Sequence, residues 1–118
     1  QRVSPENRLW ALLHDSPETY VQDTIRPIKQ AFPLLRDMED NTMSAIARKF
    51  GLTGEMPQEV KDADDELLRE ECLTFYGHSV YKTWGIYREG TIFAPSQFNF
   101  YTPEDAKRVF LDRFIELI

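Results

Sequence analysis

Residues 6–21 read ENRLWALLHDSPETYV and combine a helical apolar pattern with a group of ionisable residues. The apolar positions share one face of a helix: Leu9, Trp10 and Leu13. This spacing predicts a helix over Glu6–His14. Pro17 then interrupts the pattern, because proline lacks the N–H that a continuing helix needs. The helix is therefore expected to bury its apolar face and to end at a His-Asp pair.

The same spacing predicts helices through most of the remaining chain. The expected segments are a short helix after Ser16-Pro17 and further helices at 25–32, 34–50, 57–75 and from residue 103 onward. Gly51 and Thr102 are expected to act as caps. The apolar stripe of the last helix is Ala106, Val109, Phe110, Phe114 and Leu117. For the aromatic-rich residues 76–101, short helices and a hairpin at Glu89-Gly90 are both open interpretations. Residues 1–118 are expected to form one all-α domain, a helical bundle.

Composition and charge limit the function classes. The chain is 42% hydrophobic and 29% charged, which excludes an intrinsically disordered protein. Its net charge of −6 is a poor match to duplex nucleic acid or to an anionic membrane. No apolar run approaches the ~20 residues of a membrane span. The single cysteine, Cys72, is expected to pack in the core, and together with the absence of a signal peptide it predicts a reducing, cytoplasmic location.

Two sets of polar residues lie close to predicted apolar faces. His14-Asp15 ends the first helix, where a charged histidine and a capping aspartate need no ligand, although imidazole and carboxylate are also common metal ligands. Asp64 lies four residues after Val60 and three before Leu67, so helical geometry predicts that it faces the core. A buried carboxylate needs a cation, either a basic side chain or a metal ion.

Two further acids follow the His-Asp pair. If the helical geometry continued, Glu18 would lie on the same side as His14, four residues on, and Asp23 follows it closely. Ionisable groups at this density can shift one another's pKa values. The simpler alternative is that both are surface acids. His78 is a weaker candidate for a ligand, because it stands alone in the aromatic-rich segment.

Taken together, these segments resemble the HD-domain phosphohydrolases. Residues 9–20, followed by Asp23 and the run RPIK at 26–29, resemble the family's core signature and are closest to the bacterial and phage branch that includes 5'-deoxynucleotidases. Residues 60–64, which read VKDAD, resemble the second signature of that branch, and residues 103–114 are similar to its closing helix. The resemblance covers nearly the whole chain, and the paired signatures at this separation are more specific than either alone.

The resemblance implies an all-α fold with a divalent metal at its centre. His14, Asp15 and Asp64 would be the ligands, and this set suits Mn, Co, Ni, Fe or Zn. Glu18 would act as an acid or base near the attacking water or would orient it, and Asp23 would contact substrate or water. The implied reaction is metal-assisted hydrolysis of nucleotides or related phosphomonoesters.

The chain departs from the family at one ligand. The family's first ligand is a histidine on a helix upstream of the His-Asp pair, and none of the thirteen residues before His14 is a histidine. Either an N-terminal segment is absent from this chain or the protein lacks that ligand. Loss of the helix would expose apolar surface and favour a homo-oligomer. The alternative function is a catalytically inactive HD-like domain that serves in binding or oligomeric assembly.

Overall fold

The computed structural model describes residues 2–85, 87–89 and 98–118, and all regular structure in these ranges is helical. A short 3-10 turn, Pro5–Asn7, precedes the first helix. The helices are α1 (Arg8–Leu13), α2 (Glu18–Val21), α3 (Arg26–Ala31), α4 (Pro33–Phe50), α5 (Gln58–Tyr81) and α6 (Pro103–Leu117). The expected all-α fold is confirmed.

Both predicted caps are present. Gly51 adopts the left-handed conformation (φ 69°) and donates its N–H to the Ala47 carbonyl, which ends α4. Thr102 accepts a hydrogen bond through Oγ1 from the Asp105 N–H at 3.2 Å, which starts α6.

The fifth helix is longer than its periodicity predicts. It continues past Phe75 to Tyr81, with an interruption at Gly77, where φ is 80° and a residue with a side chain would be strained. Beyond the kink the chain turns back, so that Tyr81 and Cys72 are buried against each other as a small second core. The expected packing role of Cys72 is confirmed. The hairpin left open at Glu89-Gly90 requires Gly90, which lies outside the described residues.

The main core joins three helices. Trp10 from α1, Ala47 from α4 and Val60 from α5 are buried together, and Val3, Ala11, Met43 and Leu52 pack around them. This contact matters for the ionisable residues. His14 lies one turn after Trp10, and Asp64 lies one turn after Val60, so packing of the two apolar residues brings the two polar ones together.

The N-terminal strap, residues 2–7, is held along α5 by polar contacts. The guanidinium of Arg2 forms two hydrogen bonds to the Glu70 carboxylate, at 2.9 and 2.6 Å. The carboxylate of Glu59 accepts hydrogen bonds from Ser4 and Asn7. These contacts lower the pKa of Glu59. The strap therefore runs antiparallel to α5.

The predicted apolar stripe of α6 is only partly covered. Phe114 and Leu117 are half-buried, and the Phe114 ring meets that of Phe50 edge to face at 5.3 Å. Ala106, Val109 and Phe110, which were expected to pack, are exposed. These residues are exposed because α6 packs against α1, which is too short to cover it. The six residues of α1 span about 9 Å, whereas the fifteen residues of α6 span about 22 Å.

Apolar surface is also exposed along the segment that contains the end of α2, α3 and the start of α4. Between residues 20 and 34, four large side chains are 60–74% exposed: Tyr20, Ile25, Phe32 and Leu34. The total accessible surface is 8947 Å², which exceeds the roughly 6,700 Å² expected for a compact monomer of this mass. None of the described helices is long and apolar enough to cross a bilayer.

Leu13→Ala and Leu34→Ala form a matched test of burial, since one leucine is buried and the other is exposed. Leu13 is 4% exposed, so its truncation is expected to lower the free energy of unfolding by about 2–5 kcal/mol. Leu34 is 69% exposed, and the same change there is expected to cost less than about 0.5 kcal/mol. Urea denaturation measures both values. Equal losses would contradict the packing described here.

Candidate metal centre

A cleft of about 660 Å³ opens where the end of α1 faces α3, α4 and the first turns of α5. This volume lies within the usual range for a small-molecule site. His14, Asp15, Glu18 and Asp64 line it. Its basic residues are Arg26, Lys29 and Lys61, and its apolar wall includes Trp10, Met43 and Met56.

The His14 ring is oriented by a main-chain contact. Its Nδ1 atom lies 2.7 Å from the Ala11 carbonyl oxygen, which can only accept, so the proton is on Nδ1. Its Nε2 atom is buried and has no hydrogen-bond partner among the described residues. Nε2 lies 3.3 Å from Asp15 Oδ1 and 3.5 Å from Asp64 Oδ1.

This arrangement places a nitrogen lone pair against two carboxylate oxygens. Three electron-rich atoms repel one another unless a cation lies among them, either a second proton on the ring or a metal ion. The ligand atoms of His14, Asp15 and Asp64 lie within 4.8 Å of one another. The nitrogen and carboxylate donors fit a borderline or hard divalent ion, and metal-binding histidines usually donate their other N–H to a carbonyl or carboxylate, as here.

The expected burial of Asp64 is wrong. Its side chain is 53% exposed, because the core contact of Val60 ends one helical turn earlier and the cleft opens at the level of Asp64. The same helical wheel predicts that Asp62 and Asp65 face solvent. This is correct for Asp62 and wrong for Asp65, which is half-buried and lines the cleft. The cluster therefore lies in an open cleft, not in the core.

The two remaining acids differ in position. Glu18 is half-buried and lines the cleft, and burial raises its pKa, with further increases from Asp15 and Asp23. Asp23 is exposed and is not part of the cleft wall, so it acts on Glu18 and Asp15 through its charge alone. Desolvation also raises the pKa of Asp15, and a second proton on the His14 ring would oppose this shift.

The cleft contains an ion pair that the sequence did not predict. Lys29 Nζ on α3 lies 2.7 Å from Glu39 Oε1 on α4, and both side chains are about one-fifth exposed. The hydrogen bond to Glu39 raises the pKa of Lys29, and the Lys29 charge lowers the pKa values of Asp15 and Glu18. Helical periodicity places Glu39 on a polar face of α4, and it becomes a cleft residue only because α3 folds back along α4.

Lys61 lies in the cleft, whereas His78 lies outside it. Lys61 precedes Asp64 by three residues, a spacing that places both on one helical face and could have identified it. His78 lies beyond the kink, with its ring 6.1 Å from that of Tyr81, and does not join the His14 cluster.

Two curated proteins resemble parts of this chain. A stretch of 71 residues is 38% identical to the uncharacterized protein YfdR of Escherichia coli (strain K12). It makes up 60% of this chain and covers 40% of that protein. Over 57 residues, 48% of the chain is 39% identical to the uncharacterized protein RCAP_rcc00048 of Rhodobacter capsulatus and covers 29% of it. The matched region therefore spans less than half the length of either relative. No family model and no solved structure matches the chain.

Zinc titration of purified protein tests the cluster. Calorimetry is expected to show one site in the wild type, and Asp64→Ala and Asp15→Ala are each expected to weaken it by at least about tenfold. Asp62→Ala, an exposed change on the same helix, is the matched control and should leave affinity unchanged. Equal affinities in all four proteins would exclude this cluster as the binding site.

The raised pKa of Asp15 predicts a pH-dependent stability in the absence of metal. Because the folded state holds the Asp15 proton more tightly than the unfolded chain, the free energy of unfolding falls as pH rises through the folded-state pKa, and the loss persists at neutral pH. Asp15→Asn is therefore expected to stabilise the metal-free protein at pH 7. The gain should vanish at pH 3, below the ordinary aspartate pKa of 3.8.

Urea denaturation in EDTA at the two pH values measures this difference. Asp112→Asn, an exposed change on α6, controls for a general effect of removing negative charge. If Asp15→Asn were equally stabilising at pH 3 and pH 7, desolvation of the carboxylate would not be the cause.

Proposed function

We propose that this protein is a metal-dependent phosphohydrolase that acts on nucleotides or related phosphomonoesters in the cytoplasm. The observation that carries the proposal is the convergence of His14 Nε2, Asp15 and Asp64 in a cleft of small-molecule size. The order of these residues along the chain, together with Glu18 and Asp23, resembles that of the HD-type signatures, although the family's upstream histidine ligand has no counterpart among residues 1–13. The two curated relatives neither add an activity nor exclude one.

The three clustered residues would hold the ion. His14 is suited to this because its Nδ1–H is already used by the Ala11 carbonyl, which leaves the Nε2 lone pair directed into the cleft. Asp15 and Asp64 supply negative charge that balances a divalent cation. A bound divalent ion would polarise a phosphoryl oxygen and lower the pKa of a bound water. A three-residue set leaves coordination positions for substrate and water.

Glu18 is the residue best placed to take a proton from the attacking water. It lines the same cleft, and its raised pKa makes it a stronger base than an ordinary glutamate when ionised. Lys29 lowers that pKa and thereby favours the ionised, proton-accepting form. Asp23, exposed outside the cleft wall, would influence Glu18 through its charge.

The remaining walls suit a small phosphomonoester. Lys61 and Arg26 can attract a phosphate dianion into a cleft that is otherwise rich in carboxylates. Met43 and Met56 offer an adaptable apolar wall for the organic part of the substrate. A nucleoside monophosphate has both a dianionic head and a flat aromatic base with apolar faces, which is the combination that these walls would accept.

Phosphate release from a panel of nucleoside monophosphates, with Mn²⁺, Co²⁺ or Zn²⁺ supplied, tests the proposal. Asp15→Ala and Asp64→Ala are expected to abolish turnover because the ion is lost. Glu18→Gln is expected to lower kcat by about 10²- to 10⁴-fold while zinc affinity is retained. Glu104→Gln, an exposed change on α6, should be silent. The absence of phosphate release with every ion and substrate would refute the enzyme assignment.

The alternative function, a catalytically inactive domain used in assembly, is favoured by a different observation. The segment 20–34 exposes several large apolar side chains, and such surface is commonly covered by a partner. In that case the same cluster would be a structural remnant, and self-association would be the measurable property.

Sedimentation over a hundredfold range of protein concentration examines the alternative. Assembly through this segment predicts a concentration-dependent dimer that is weakened by Phe32→Ser. Phe32 is 60% exposed, so the substitution should not unfold the chain. Phe100→Ser, at an 83% exposed position elsewhere, is the control. A monomer with phosphohydrolase activity at all concentrations would eliminate this alternative.

A further inference from the structure

A second, smaller pocket of about 230 Å³ lies between the N-terminal strap, α1 and α6. Its polar lining consists of three arginines, Arg2, Arg8 and Arg113, and no acidic residue of the described ranges lines it. The rest of the wall is apolar: Val3, Ala11, Leu12 and Leu117. Arginine side chains are therefore the charged groups of this wall, and a cavity lined by arginine and apolar residues favours an anion with an apolar body.

The pocket is separate from the candidate metal centre. Along α1, Trp10 and His14 face the large cleft, whereas Arg8 and Leu12 lie on the opposite side of the helix. Within the part of the chain that the structure describes, the two cavities share no lining residue. A ligand in the small pocket would therefore not contact the His14 cluster.

The Arg8 side chain gives the strongest indication that this pocket binds a ligand. Its Nε atom is buried and has no hydrogen-bond partner among the described residues. A buried donor without an acceptor costs free energy, and native structures rarely leave one in that state. An acceptor that enters the pocket would remove the cost.

The other two arginines are held in place by their own ion pairs. The Glu70 carboxylate accepts two hydrogen bonds from the Arg2 guanidinium, and Arg113 Nη1 lies 2.6 Å from Glu116 Oε2. These pairs hold the two guanidinium groups and offset their charge, which leaves Arg8 as the lining arginine with no ion pair among the described residues. The pocket is therefore suited to a ligand with one anionic head, and not to a highly charged polyanion.

We infer that this pocket binds a small organic anion with one phosphate or carboxylate head and a short aliphatic body. Guanidinium groups match both heads through paired N–H donors. The apolar residues of the wall would cover the aliphatic part. The volume equals that of about eight water molecules at ~30 Å³ each, which admits a body of only a few carbons.

Proton–nitrogen NMR of metal-free, ¹⁵N-labelled protein tests the inference directly, because the Arg8 Nε–H gives its own signal. Propyl phosphate and butyrate are the probes, and they distinguish the two kinds of head group. Saturable shifts are expected at Arg8 Nε–H and at the amides of Leu12 and Leu117. EDTA throughout prevents either probe from binding through an ion at His14.

Arg8→Gln is expected to weaken binding of the preferred probe by about tenfold or more, since it removes charge-assisted hydrogen bonds. Arg113→Gln, on another helix, provides a second test that does not alter α1. Arg108→Gln is the matched control, since Arg108 is 67% exposed and pairs only with Asp105 among the contacts described. Shifts confined to the large cleft, linear shifts without saturation, or equal affinity in Arg8→Gln would each overturn the inference.

Discussion

The unbalanced charge around His14 Nε2 is the constraint on which this structure depends. A main-chain carbonyl occupies the ring's other nitrogen, and two carboxylates face the lone pair that remains. A cation must complete this group. The buried contact of Trp10 with Ala47 and Val60 holds it together, because it fixes the end of α1 against the first turns of α5.

The short helix α1 also divides the molecule into two environments. One side of the helix faces a large cleft with many acids and a few bases, and the other faces a small pocket whose described charged residues are all arginines. Six residues suffice to separate opposite electrostatic surfaces, because successive helical residues point about 100° apart. The same shortness leaves α6 partly uncovered, so the cost of this arrangement is exposed apolar surface.

Helices and caps could be predicted from the sequence because periodicity, Gly51 and Thr102 act locally. The association of His14, Asp15 and Asp64 came from the resemblance. The burial of Asp64 was predicted wrongly, since burial depends on what faces a residue, and a helical wheel does not show that a cleft opens one turn after Val60. The Lys29–Glu39 pair was missed for a related reason, because it exists only once α3 folds along α4.

Anomalous diffraction from crystals soaked in Zn²⁺ tests the central claim most directly. One strong peak is expected about 2 Å from His14 Nε2 and within bonding distance of Asp15 and Asp64 carboxylate oxygens. A map with no peak there, in which His14 Nε2 lies within hydrogen-bond distance of a carboxylate oxygen, would indicate that a proton supplies the positive charge and would contradict metal binding at this cluster.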